Sequence, residues 1–115
     1  MNFETKRVKD VTVFRLNEKK LDTNNSSLVK GEFTVLFKME GAVKLVIDLE
    51  EVENCDSSGL SALLIANRLV NANNGELRLA NLSEKVISLM KITQLDRVLS
   101  VCPSVEDAIE ELEEN

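Results

Sequence analysis

The sequence predicts an α/β fold, a mixed central β-sheet of about five strands packed with about four helices. The chain opens on two short segments of alternating apolar and polar residues, which predict a hairpin. Beyond residue 24, apolar positions at helical spacing alternate with short runs rich in β-branched residues, the pattern of strands joined by right-handed helical crossovers. The chain has 115 residues, 43% hydrophobic and 30% charged, enough for one packed core under a well-solvated surface. It shows no internal repeat and no linker, so a single domain over 1–115 is expected.

Residues 3–8 and 11–16 are the alternating strands, with Lys9 and Asp10 as their turn. A polar stretch leads to Leu21-Asp22, and TNNSS then supplies helix-capping residues. Leu28, Val29, Phe33, Leu36, Phe37 and Met39 predict a first helix over about 24–40, ended by Gly41. VKLVIDL (43–49) is a nearly continuous apolar run, as in a strand buried on both faces. A long apolar helix over about 57–73 follows, then the turn Asn73-Asn74-Gly75 and a strand over 76–81. Ser83 caps a short helix running from Glu84 to Lys91. Val98, Leu99 and Val101 mark a last short strand, and Pro103 opens a final helix to about 113.

Composition removes several function classes. With no histidine, Ser-His-Asp and Cys-His catalysis and histidine metal sites are absent, and two cysteines cannot build a thiolate zinc site. Neither GxGxxG nor GxxxxGK[ST] occurs, and no carboxylate pair stands out by spacing, so no catalytic residue, metal or cofactor is assigned and a non-enzyme is expected. A net charge of −6 offers no basic footprint for nucleic acid. The acidic end (Glu106, Asp107, Glu110, Glu111, Glu113 and Glu114) reads as a solvated helix face, with a basic partner as the alternative. Cys55 and Cys102 lack companions in a CxxC; reduced thiols fit them better than a disulfide, and Cys55 reads as a packing residue. The opening MNFETKRVKD is unlike a signal peptide, and no apolar stretch approaches membrane-span length. A cytoplasmic protein without direct membrane insertion is expected.

The informative segment is DSSGLSALLIANRLV (56–70). Asp56 and Ser57 stand where a loop hands over to a helix, and a serine there can cap the free backbone N–H groups. The same groups and the helix dipole attract anions, so a phosphate on Ser57 is tolerated at the helix start, opposed by Asp56. Gly59, small and in the first turn, is expected to leave the backbone accessible. At about 100° per residue, Ala62, Leu63, Ile65, Ala66, Leu69 and Val70 form the expected core arc. Ser57, Leu60, Ser61, Leu64, Asn67, Arg68 and Asn71 form the opposite arc, where Leu60 and Leu64 are either an exposed partner patch or tucked beneath a loop or the first helix.

With Leu21-Asp22, VIDLEEVENCDSSGL (46–60) and GELRLANLSEKVISLMKITQLDRVL (75–99), most of the chain resembles the STAS family, named for sulfate transporters and anti-sigma-factor antagonists. The resemblance implies a STAS-like fold. It implies an anti-sigma factor antagonist in which the first serine after the motif aspartate, here Ser57, is phosphorylated by an anti-sigma factor serine kinase and restored by a PP2C-type phosphatase. The unphosphorylated form binds the kinase and frees its sigma factor. The kinase-binding surface implied on this chain comprises Asp22, Thr23, Asn24, Asn25, Asp56, Ser58, Gly59, Leu60 and Leu64. Lys19-Lys20 stands where stand-alone members commonly carry Gly-Glu, and Ser61 where glycine is frequent. Ser58 is a competing acceptor, and Ser57 as a plain cap is the bland alternative. A second function class is a STAS accessory or scaffold subunit of a transporter or sensory complex, not phosphorylated. A monomer is the simplest expectation.

Overall fold

The structure is a computed structural model and describes residues 1–113; Glu114 and the end of the expected domain lie outside the described residues. In chain order the strands are β1 (Phe3–Val8), β2 (Val11–Leu16), β3 (Lys20–Leu21), β4 (Lys44–Asp48), β5 (Asn54–Cys55), β6 (Glu76–Ala80) and β7 (Val101–Cys102). The helices are α1 (Ser26–Glu40), α2 (Ser57–Asn71), α3 (Glu84–Ile92) and α4 (Val105–Glu113).

The main sheet has five strands in the order β1-β2-β4-β6-β7. The hairpin partner β1 runs antiparallel to β2, and β2, β4, β6 and β7 are mutually parallel. Alternation along the strands divides the apolar residues between two faces. Phe14, Leu45, Ile47, Leu77 and Leu79 face the larger core with α1, α2 and α3. Val11, Val13, Val46, Ala80 and Cys102 face Ala108 and Leu112 of α4. β4 is buried on both faces, as its nearly continuous apolar run predicts.

Most ends have local causes. Gly41 closes α1 in the left-handed region (φ 64°), with N–H bonds from Gly41 to Phe37 O and from Ala42 to Leu36 O. Ser83 caps α3, its hydroxyl accepting from Val86 N at 3.3 Å. The final helix starts two residues after Pro103, because the Ser104 hydroxyl takes the Asp107 N–H and acts as the cap. The expected strand through Val98 and Leu99 is corrected. Gln94, at φ 63°, turns the chain into a 3-10 turn over Leu95–Arg97, and only Val101 and Cys102 pair with β6. The first helix begins at Ser26 rather than 24, and the residues before it build the site described next.

Candidate functional site

Two loops meet at one end of α2. The first runs from β3 into α1, the second from β5 into α2. β3 and β5 form a separate parallel pair, with Lys20 beside Asn54 and Leu21 beside Cys55. Lys19 O accepts the N–H groups of Glu53 (2.8 Å) and Asn54 (3.2 Å), and Leu21 O accepts that of Asp56 (3.3 Å). The loop before α1 is folded on itself. Asp22 N donates to Asn25 Oδ1 and Asn24 N to Asp22 Oδ1, both at 3.0 Å, while Asn25 Nδ2 reaches Lys20 O at 2.8 Å. Asn25 is the residue before α1, yet its side chain is used inside the loop and not as a helix cap.

Asp56 holds the two loops together. Its Oδ1 accepts from Gly59 N at 3.0 Å, which makes Asp56, not Ser57, the N-cap of α2. Its Oδ2 accepts from the Thr23 hydroxyl at 3.1 Å and from Thr23 N at 3.3 Å. These donors, the Gly59 N–H above all, hold the Asp56 carboxyl below the usual carboxylate range. The alternative of Ser57 as a plain helix cap is therefore not met. Ser57 is the first residue of the helix, exposed, and its hydroxyl makes no hydrogen bond among the described residues. Ser58 is half-buried with its hydroxyl 3.3 Å from that of Thr23.

Gly59 serves packing rather than access. It is buried, and a Cβ built on it would overlap the Leu21 carbonyl oxygen and come within 2.6 Å of Cys55 Sγ. The missing side chain lets the first turn of α2 sit directly on β3. Cys55, beneath that turn, has its thiol pushed up to about 12 by burial and then by the negative charges of Asp56 and Asp22.

Of the sequence-derived site residues, Asp22, Thr23, Asn24, Asn25, Asp56, Ser57 and Ser58 come together around this junction, with Thr23, Asn24 and Ser57 the most open. Leu60 does not join that surface. It is 3% exposed and belongs to the core, and Leu64 is half-buried against the same cluster. Asn67, placed on the outer arc, is buried too. α2 packs against the sheet and also against α1, so its buried arc is wider than a single contact face. Lys19 and Lys20 are exposed at the rim, and neither forms an ion pair among the described residues.

A polar network on the far face of the sheet was not legible in advance. Asp48, 5% exposed, accepts from Arg15 (3.3 Å), Asn81 (3.0 Å) and Glu50 N (3.1 Å), and Arg15 also reaches Glu51 at 2.9 Å. This network pins the loop after β4, which leads to the junction. Its members are far apart in sequence, and only the parallel register of β2 and β4 brings Arg15 opposite Asp48. Among the described residues no group of three or more Cys, Asp or Glu is placed to hold a metal ion, and no helix is long and apolar enough to cross a membrane.

The STAS domain model matches residues 2–108. An anti-sigma factor antagonist assigned in Thermotoga neapolitana is 30% identical over 111 residues, covering 96% of this chain and 97% of that protein. The anti-sigma F factor antagonist of Paenibacillus polymyxa is 24% identical over 113 residues, covering 98% and 96%. A crystal structure of an assigned anti-sigma factor antagonist from Thermotoga maritima superposes with a TM-score of 0.82 at 28% identity, covering 96% of this chain and 94% of that one.

Proposed function

The chain belongs to the STAS domain family, and we propose that it works within it as a single-domain, cytoplasmic anti-sigma factor antagonist switched by phosphorylation of Ser57. The unphosphorylated protein binds an anti-sigma serine kinase through the junction of the two loops, with Thr23, Asn24, Asp56, Ser57 and Ser58 at its centre. Phosphorylation releases the kinase, and a PP2C-type phosphatase restores binding.

The observation that carries this reading is the division of labour at the start of α2. Asp56 holds the cap and the Thr23 bonds, while the neighbouring Ser57 hydroxyl is exposed and uncommitted. A phosphate can therefore be added and removed without dismantling a helix terminus. Ser58 is the poorer acceptor, being half-buried against Thr23.

Phosphorylation brings about −1.5 to −2 charges at neutral pH. It places them next to a carboxylate already held ionised. Covering that pair of anions with a partner lacking matched cations costs several kcal/mol, and ~1.4 kcal/mol is already tenfold in affinity. The block is local. No bond that holds the junction together involves the Ser57 side chain, so the fold need not change for binding to fail.

The test is to incubate the protein with ATP and its candidate kinase, then locate the phosphate by intact mass and peptide sequencing. One phosphate on Ser57, absent from Ser57→Ala and retained in Ser58→Ala, is the expected result. No phosphate on either serine, with a transporter or scaffold copurifying in place of a kinase, would move the protein to the accessory class.

A further inference from the structure

We infer that β1 is a dimerisation edge, at which two copies of this chain join their sheets antiparallel about a two-fold axis through Thr5, in place of the monomer expected from the sequence. β1 is the outer strand of the main sheet, and Glu4, Thr5, Lys6 and Arg7 are all exposed. Which backbone groups point outward follows from the register. Val8 and Val11 close the two-residue turn, and Asn17 N donates to Asn2 O at 2.9 Å. Even-numbered positions of β1 thus direct their N–H and C=O groups to β2, and Phe3, Thr5 and Arg7 direct theirs to solvent. Among the described residues, no hydrogen bond outside the β-ladder reaches the backbone of those three.

A bare edge accepts many strands, and charge normally guards it. Here the charges are arranged to favour one partner. In an antiparallel pair centred on Thr5, Thr5 meets its own copy, Phe3 meets Arg7 and Glu4 meets Lys6. Thr5–Thr5 and the two Phe3–Arg7 pairs are the hydrogen-bonded positions, using the outward backbone groups. The two Glu4–Lys6 pairs are the non-hydrogen-bonded positions, where side chains approach most closely. Moving the partner by two residues in either direction sets Glu4 against Glu4 or Lys6 against Lys6. The opposite-charge register is thus selected against its neighbours. Lys6 forms no ion pair within the chain among the described residues, and Glu4 uses one oxygen to accept Asn17 Nδ2 at 3.1 Å. Such an interface is isologous and closes at two copies.

Sedimentation velocity over a concentration series tests this directly. The wild type should show a monomer–dimer equilibrium that weakens with added salt. Lys6→Glu and Glu4→Lys should each weaken dimerisation about tenfold, because two attractive cross-strand pairs become repulsive. The double exchange Glu4→Lys/Lys6→Glu should restore it, as should an equimolar mixture of the two single variants. Thr5→Pro, which removes an outward N–H and leaves the ladder to β2 intact, should abolish it. A wild type that stays monomeric at every concentration, or single variants and a mixture that all associate equally, would overturn the inference and leave the edge to a different chain or to solvent.

Discussion

Replacing Gly59 by alanine sets two opposed effects against each other. In a helix interior the change favours folding by about 1 kcal/mol, because alanine loses less backbone freedom than glycine. At Gly59 the new Cβ would overlap the Leu21 carbonyl oxygen, with Cys55 Sγ at 2.6 Å and Leu21 Cγ at 2.9 Å. The carbonyl is backbone, fixed by the β3–β5 pairing and by the Asp56 N–H, so it cannot swing away as a flexible side chain would. Forcing an extra carbon into a packed site costs about 1–3 kcal/mol, and more where backbone must move. The steric term therefore wins, with a net destabilisation of about 1–2 kcal/mol, which lowers Tm by roughly 4–8 °C for a domain of this size. Gly31→Ala is the internal control: nothing lies within 4 Å of a Cβ there, so that variant should gain about 0.5–1 kcal/mol. Urea unfolding of the two variants beside the wild type gives the answer. Equal stabilisation by both substitutions would refute the close approach of α2 to β3 on which the site geometry rests.

Leu60→Ala should lose about 2–5 kcal/mol on urea unfolding, as a core truncation does; a change within ~0.5 kcal/mol would return Leu60 to the surface. The folded-state pKa of Asp56 is lowered, so its contribution is fully present above the unfolded value of about 3.9 and is lost as pH falls through the lower folded value. The stability advantage of wild type over Asp56→Ala should accordingly vanish in acid, and an advantage independent of pH would contradict the capping carboxylate. Cys55, raised to about 12, should react with a thiol reagent at neutral pH roughly a hundredfold more slowly than a free thiol, and at the ordinary rate once the protein is unfolded.

The larger elements were legible because each has a local signature. The hairpin segments alternate in sequence, β4 is a nearly continuous apolar run, and Gly41 stops α1 where a left-handed residue is needed. β3 and β5 were not legible: two-residue strands have no period to read, and they exist only through pairing with each other. The start of α2 at Ser57 is legible, but its cap is not, since serine and aspartate are nearly equal as caps and only the Gly59 N–H contact picks out Asp56. Leu60 and Asn67 were placed outward because a helical wheel assumes one packing partner, whereas α2 has the sheet and α1. Gly59 looked like an opening and is a contact, which only the position of Leu21 reveals.

On the proposed switch, a phosphate on Ser57 blocks a kinase surface without altering the fold. The most direct test is to titrate the unphosphorylated and the Ser57-phosphorylated protein against the same kinase by calorimetry, with thermal unfolding of both forms alongside. Phosphorylation should lower the affinity at least tenfold and leave Tm nearly unchanged. Equal affinity for the kinase, or a loss that tracks unfolding of the phosphorylated form, would contradict the switch.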